Sequence, residues 1–228
     1  MKQQQGATLI TVLIILVLVT LLGTVAVKSG ILGLKIATNS QVNALLMGNS
    51  DAALFNVENP NQVTRQLALD GMFAYFNSSA NANDELVFCY RASEDIFFKL
   101  SKASAITTGG STTKIGITGY CKADQFAGGR SAVLSQVYLR KNIDTTTPLS
   151  HLPSGSSVGQ TPLPVVTNNI SAMVISVLPS FANVTSDQIE TCFRRRSSLV
   201  ATCFRDLNVP YNLQHADYIV GGQPELVN

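Results

Sequence analysis

The run from Ala7 to Val27 contains no charged residue and consists mostly of leucine, valine and isoleucine. A helix needs about 20 apolar residues to cross the hydrocarbon core of a bilayer, so this run is long enough to span one. Its threonines can donate to a carbonyl one turn back, which lowers their cost in lipid. Lys2 precedes the run, and a basic residue there favours a cytoplasmic N-terminus. The sequence therefore predicts that the rest of the chain is exported.

A cleaved signal peptide is the alternative interpretation of this run. Thr24–Ala26 has the spacing of small residues that a signal peptidase uses, and cleavage after Ala26 would release a secreted protein starting at Val27. The apolar core of a signal peptide is about 7–15 residues long, and the present run is longer. Its length therefore favours a retained helix.

Helical periodicity continues beyond the first charged residue after the run, Lys28. Apolar residues recur at steps of three and four, namely Ile31, Leu34, Val42, Leu45, Leu46, Ala53, Leu54 and Val57. Pro60 ends the pattern, and Asn59 is suited to cap a second helix. One helix is therefore predicted from Ala7 to Glu58, roughly 75–80 Å long. The first half of this helix is apolar on all sides, and its second half is apolar on one side only. Such a helix is typical of a membrane stalk whose far end packs on a globular domain.

The leader and the helix together resemble a known family. "KQQQG" followed by "ATLITVLIILVLVTLLG" is similar to the class III leader of type IV pilins and pseudopilins. The resemblance implies that a prepilin peptidase removes residues 1–6, cutting after Gly6 and N-methylating Ala7. It also implies that residues 7–27 anchor the subunit in the bacterial inner membrane, with the C-terminal domain in the periplasm, and later pack in the core of the fibre.

Thr11 occupies the fifth mature position, where most major pilins carry glutamate. In the family that glutamate is thought to pair with the N-terminus of the subunit already in the fibre, and a carboxylate in lipid is costly unless it is paired. A subunit with no earlier neighbour has no partner for it. Minor pilins of the PilX type and the tip pseudopilin of type II secretion systems lack this glutamate, and "LVLVTLLGTVAVKSGIL" and "GRSAVLSQVY" also resemble minor pilins.

The resemblance implies a minor pilin that primes the assembly of a type IV pilus, lies at or near its tip, and supports twitching motility, adhesion or DNA uptake. Its implied partners are other minor pilins, the major pilin, the inner-membrane assembly platform, prepilin peptidase and a PilY-type tip adhesin. A type II secretion pseudopilin is the alternative within the family. A single-span anchored binding or sensor domain, and a secreted protein cleaved after Ala26, are the alternatives outside it.

Residues 59–228 are predicted to form an exported globular domain of the α+β class, with the type IV pilin-like arrangement of a long helix packed on an antiparallel sheet of about four strands. Periodicity predicts a second helix or helical turn over Asn61–Asn77. Residues 144–169 are rich in proline and serine and are predicted to be a long surface loop. The stretch 185–207 is expected to form turns and one short helix.

Strands are predicted from short stretches rich in aromatic and β-branched residues. "ELVFCYRA" and "ISAMVISVLP" have this composition, and "EDIFFKLS" fits either a strand or a helix. A β-hairpin is predicted between Lys114–Cys121 and Arg130–Arg140, because two glycines lie in the stretch that joins them. Phe97 and Phe98 are expected in the core.

The four cysteines all follow the apolar run, and an exported domain with an even number of cysteines favours two disulfides. Cys192 and Cys203 enclose a compact loop, which suits one bridge. Cys89 and Cys121 then remain to pair across the sheet. Four cysteines allow three connectivities, and buried free thiols or a metal site stay as alternatives. No C-x-x-C motif is present, so no metal is predicted.

Arg194, Arg195 and Arg196 form the only basic cluster of the chain. Three interpretations are open: a solvated face, a contact with a protein partner, and a contact with DNA phosphates, which would be sensitive to salt. The formal net charge is only +2. The whole-chain field therefore gives no argument for nucleic acid, and a solvated face is the simplest interpretation.

Enzymatic motifs are missing from the sequence. It contains no nucleophile elbow, no Walker motif and no zinc-protease motif. His151 and His215 have no carboxylate pattern around them apart from Asp217, so both are interpreted as surface or structural residues. The sequence thus predicts a packing and recognition protein with no catalytic residue and no cofactor.

Overall fold

The computed structural model describes residues 5–94, 99–129, 132–142 and 167–221. The chain divides into two compact units, residues 1–42 and residues 43–228. One helix, α1 (Gln5–Glu58), runs through the first unit and continues into the second. The single long helix predicted over Ala7–Glu58 is confirmed.

In the first unit, α1 exposes its apolar side chains in every direction. Every residue from 9 to 37 is exposed. Thr20 and Thr24 donate their hydroxyls to the carbonyl oxygens of Val17 and Leu21, each at 2.8 Å. These bonds satisfy the hydroxyls within the helix, as expected for threonine in an apolar environment.

In the second unit, α1 buries one side only. Leu46, Ala53 and Val57 are almost completely buried. Ile31 and Leu34, which the periodicity placed on the same stripe, are exposed at 52% and 69%. The one-sided pattern therefore begins later than predicted, because both residues belong to the stretch that is exposed on all sides.

The second predicted helix, Asn61–Asn77, is broken into short pieces. Asn59 accepts from the amide of Asn61 at 3.0 Å and caps a 3₁₀ turn, which leads into α2 (Val63–Gln66) and then, after a turn, α3 (Met72–Phe76). The break lies at Gly71, whose amide donates to the carbonyl of Ala68 at 2.8 Å. A side chain at Gly71 would lie within 3 Å of three backbone carbonyl oxygens, so the turn depends on glycine.

The sheet has five antiparallel strands in the spatial order β2-β1-β3-β4-β5. The strands are β1 (Glu85–Tyr90), β2 (Ser104–Ile106), β3 (Leu134–Lys141), β4 (Thr167–Val177) and β5 (Tyr211–Gly221). The α+β class and the packing of a long helix on an antiparallel sheet are confirmed, with one strand more than expected. Neither β2 nor the edge strand β5 was predicted, and β5 pairs with β4 along its whole length.

Both faces of the sheet are covered, so the domain has two apolar cores. Residues 43–58 of α1 and the short helix α3 cover one face, where Phe73, Phe88 and Val174 are buried. Two further helices, α4 (Ser186–Phe193) and α5 (Ser197–Asp206), cover the other face. There Phe193 and Phe204 pack edge to face with ring centroids 5.0 Å apart.

Three fully buried serines join α1 to the sheet. Ser50 donates to the hydroxyl oxygen of Ser176 on β4 at 2.8 Å, and Ser176 lies 2.7 Å from the hydroxyl of Ser135 on β3. Buried hydroxyls are costly without a partner, so this chain of contacts favours one axial position of the helix on the sheet.

The predicted hairpin between Lys114–Cys121 and Arg130–Arg140 is wrong. Of the two, only the second contains a strand, β3, and it pairs with β1 and β4 instead. Residues 118–121 cross the α4–α5 face of the sheet. Gly119 lies against the backbone of β1 and β2, and the amide of Cys121 donates to the Gln136 side chain on β3 at 2.9 Å. The alternation of Ile115 and Ile117 that suggested a strand is not used for sheet pairing.

Two other boundaries differ from the prediction. The proline-rich loop assigned to residues 144–169 ends earlier, because Thr167 already belongs to β4; residues 143–166 lie outside the described residues, as do Phe97 and Phe98. The stretch expected to form turns and one short helix contains both α4 and α5. Thr185 starts α4 with a capping box in which it and Gln188 bond each other's backbone amides.

Candidate functional site

The proposed cleavage position lies at the start of α1. The backbone is helical from Gln5, so Gly6 and Ala7 are the second and third residues of the helix. Thr11 is an exposed, uncharged residue one turn after Ala7.

The first part of α1 is long and apolar enough to cross a membrane. It is the one helix among the described residues that meets this requirement, on the grounds of its length and composition. Most residues from Leu9 to Ile36 are large, apolar and exposed. The others in this stretch are glycine, threonine, serine, alanine and two lysines. Lys28 and Lys35 are the first charged residues after the run.

Two disulfides are present in the second unit, and they are the two pairs preferred from the sequence. Cys89 is bonded to Cys121, and Cys192 is bonded to Cys203. The first attaches residues 118–121 to β1, and the second joins α4 to α5. All four thiols are consumed, so no cysteine is available as a thiolate ligand for a metal.

The three arginines lie in the turn between α4 and α5, and the structure gives them different environments. Arg196 contacts the Glu85 carboxylate at 3.3 Å, and the side chain of Glu85 is only 4% exposed. Arg194 forms a surface pair with Glu190 at 3.7 Å, one turn earlier on α4. Arg195 is exposed. The cluster is therefore not three equivalent solvated arginines, because Arg196 is engaged inside the domain.

Glu85 also holds the beginning of α5. Its carboxylate accepts from the backbone amide of Ser197 at 2.8 Å and from the Ser197 hydroxyl at 2.9 Å. Arg196 adds long contacts to the carbonyl oxygens of Asn83 and Thr108. One buried acid at the start of β1 thus neutralises Arg196 and caps a helix N-terminus, where negative charge is favourable.

The other end of the arginine turn is held by β3. Gln136 donates to the carbonyl oxygen of Phe193 at 2.7 Å, and the Tyr138 hydroxyl donates to the same oxygen at 3.0 Å. Burial raises the pKa of Tyr138 well above its ordinary value, so its hydroxyl stays a neutral donor. Together with Glu85 and the Cys192–Cys203 disulfide, these bonds fix the turn at both ends.

Arg195 lines a shallow groove of about 310 Å³ between α4 and α5. Asp187 and Asp206 line the same groove, so the local charge is mixed. Affinity for nucleic acid grows with the number of phosphates that a protein neutralises. Arg195 beside two aspartates, with Arg194 already paired to Glu190, therefore provides a weak basis for DNA binding.

His215 and its neighbours do not have the geometry of a catalytic triad. The Ser171 hydroxyl lies 2.6 Å from Nε2 of His215, and the nearer carboxylate oxygen of Asp217 lies 3.6 Å from the same nitrogen. A triad uses the two ring nitrogens separately, one for the nucleophile and one for the carboxylate. Ser171 is also almost completely buried. His151 lies outside the described residues.

The site that the sequence analysis missed is the group around Glu85. Nothing local marks this residue, because its contact with Arg196 joins positions 111 residues apart. No family model, curated protein or solved structure matches the chain. A functional proposal therefore rests on the N-terminal sequence, the long helix and the geometry of residues 43–228.

Proposed function

We propose that this chain is a minor pilin of a type IV pilus, of the PilX type, that primes assembly and lies at or near the pilus tip. The observation that carries the proposal is the unbroken helix α1. It is apolar and exposed on all sides in its first part, yet residues 43–58 of the same helix form part of the core of a folded domain. A cleaved signal has no need of such continuity.

The leader and Thr11 support the processing site and the tip position in this proposal. A cut after Gly6 would leave Ala7 as the first residue of a helix that is already apolar from its start. The uncharged Thr11 would spare a subunit with no earlier neighbour the cost of an unpaired carboxylate in the membrane. The proposed partners are other minor pilins, the major pilin, the assembly platform and a PilY-type adhesin, and the mechanism is packing without chemistry of its own.

N-terminal sequencing of the mature protein is the first test. We expect N-methylalanine from Ala7, followed by Thr8 and Leu9, because the peptidase of this family both cuts and methylates. A sequence starting at Val27 would instead identify a secreted protein. An intact Met1 would identify a simple membrane anchor. Either of these results would contradict the proposal.

Piliation with Thr11→Glu tests the proposed position in the fibre. The added carboxylate would have no partner in the first subunit, at a cost of up to about 3 kcal/mol in lipid. We expect the variant, expressed in a deletion strain, to restore fewer pili and less twitching than the wild type, whereas Thr11→Val restores both. The measurement is pilus number by electron microscopy.

The deletion strain itself separates the two members of the family. Loss of pili supports the proposed role. Normal piliation with a defect in protein secretion would identify a type II secretion pseudopilin, and equal complementation by wild type and Thr11→Glu would contradict a place at the tip.

A further inference from the structure

A cleft of about 210 Å³ lies on the α5 side of the sheet, at the end where α5 begins. Its floor is formed by side chains that point from β3, β4 and β5 towards α5. The cleft is lined by Arg140, Ser171, Met173 and His215 on the strands, and by Glu85 and Ser198 at its wall. Arg140 pairs in register with Ser171, and Met173 with His215, so the four residues are neighbours on one face.

The acid in the wall of this cleft is already neutralised. Glu85 accepts two hydrogen bonds from Ser197 and pairs with Arg196, as described above. Arg140, by contrast, is exposed and pairs with no carboxylate among the described residues. The cleft therefore presents one guanidinium whose forked donors are open to an anion.

The size of the charge that fits is limited by Asp217. Its carboxylate is half exposed and lies 3.6 Å from His215. Asp217 lies on the edge strand β5, directly opposite Ser171 on β4. A dianion such as phosphate would bring a second negative charge beside this carboxylate, whereas a single negative charge is balanced by Arg140 alone. Met173 and the ring of Tyr138 give the rest of the cleft an apolar surface.

We propose that this cleft binds a small monocarboxylate. The guanidinium of Arg140 forms the paired hydrogen bonds that match a carboxylate, and the Ser198 hydroxyl at the wall adds a donor. The apolar part of the ligand packs on Met173. The same chemistry is offered by a free short-chain acid and by the C-terminal carboxylate of a peptide, and the experiment below separates these sources. This site does not depend on the proposed role in pilus assembly.

Methionine methyl NMR tests the proposal, because Met173 lies in the cleft and the sequence has only four methionines. The full-length chain, labelled at the methionine methyl carbons, is studied in detergent micelles, and the Met173 signal is assigned with Met173→Leu. Met72 is fully buried against the opposite face of the sheet and serves as the internal reference. The probes are butyrate, N-acetyl-alanyl-alanine, and the neutral amide of each.

We expect a saturable shift of the Met173 signal with at least one acid, no shift with the amides, and an unchanged Met72 signal. A shift with the peptide acid alone identifies a chain terminus as the ligand class. Arg140→Gln should weaken binding about tenfold or more, since a charge-assisted hydrogen bond contributes about 1.5–3 kcal/mol. Arg205→Gln, at the far end of α5, removes the same charge and should leave binding unchanged.

Three results would overturn the proposal. The first is no shift with either acid at about 10 mM, a concentration above the dissociation constant expected for a ligand of this size. The others are equal shifts with acids and amides, and equal binding by the wild type and Arg140→Gln. Far-UV and near-UV circular dichroism of each variant establishes that it is folded before titration.

Discussion

Glu85→Ala lowers the free energy of unfolding of the domain formed by residues 43–228 by about 3 kcal/mol. The substitution leaves the Arg196 guanidinium without its anion and the backbone amide of Ser197 without its acceptor. Both groups are at the junction of β1 with α5. Removing one member of a buried pair costs more than the pair contributes, because the other charge is left uncompensated.

The measurement is chemical unfolding of the full-length chain in detergent, followed by near-UV circular dichroism of the tyrosines. This signal reports the tertiary packing of the domain, whereas the far-UV signal also contains the apolar part of α1. In a thermal scan the same loss should lower the midpoint by about 6–12 °C for a domain of this size. Glu85→Gln keeps the shape of the side chain and should lower the free energy of unfolding by less than Glu85→Ala does.

Glu190→Ala is the matched control, because Glu190 pairs with Arg194 on the surface at 3.7 Å. An exposed pair of this kind contributes about 0–1 kcal/mol. If Glu85→Ala and Glu190→Ala destabilise the domain equally, the buried contact with Arg196 does not carry the stability assigned to it. A cycle with Arg196→Gln measures the coupling between the two residues directly.

Gly119→Ala should disrupt the domain more severely than any other glycine substitution on the α4–α5 face. A β-carbon at this position would lie 2.2 Å from the carbonyl oxygen of Val87 and 2.3 Å from the amide nitrogen of Ser104. Both are backbone atoms of paired strands, so neither can move away as a side chain could. We expect a loss of about 3 kcal/mol or more, at the upper end of the range for overpacking.

The cause of this loss is local and can be followed chemically. Residues 118–121 would move off the sheet, the bond from Gly119 to the Ser104 hydroxyl would break, and Cys121 would leave its position opposite Cys89. We therefore expect a fraction of Gly119→Ala molecules to retain free Cys89 and Cys121 thiols, measured by alkylation and mass spectrometry of the peptides.

Gly109→Ala provides the control for this substitution. The nearest atom to its added β-carbon is the Thr107 hydroxyl at 4.0 Å, which leaves room for a methyl group. Its effect should stay within about 0.5 kcal/mol, as for most surface changes. A Gly119→Ala protein with wild-type stability and complete disulfides would show that the close approach of this segment to the strands is not required.

The helix α1 could be predicted from the sequence because its signal is local. An uncharged run and a later three-and-four-residue pattern are properties of neighbouring residues. The sequence pattern did not predict at which residue of α1 the buried side begins. Ile31 and Leu34 fit the pattern as well as Leu46 does, but only contact with the sheet decides which residues are buried.

The sheet was predicted less completely, for reasons that differ between strands. The edge strand β5 contains His215, Asp217 and two side-chain amides, so it lacks the apolar character by which a strand is recognised. The segment 114–121 has a strand-like alternation, but Gly119 allows residues 118–121 to lie against the face of the sheet instead of pairing within it. The partnership of Glu85 with Arg196 joins distant parts of the chain, and an arginine with an internal partner looks the same in the sequence as its solvated neighbours.

The Cys192–Cys203 disulfide changes what a protease can do at the arginine turn. A trypsin-like enzyme cuts after arginine, and Arg194 and Arg195 are exposed between α4 and α5. Because the disulfide joins the two helices on either side of the turn, a cut there would divide the peptide chain without releasing either half. The nicked domain would keep Phe193 and Phe204 in contact, and the fragments would separate only after reduction.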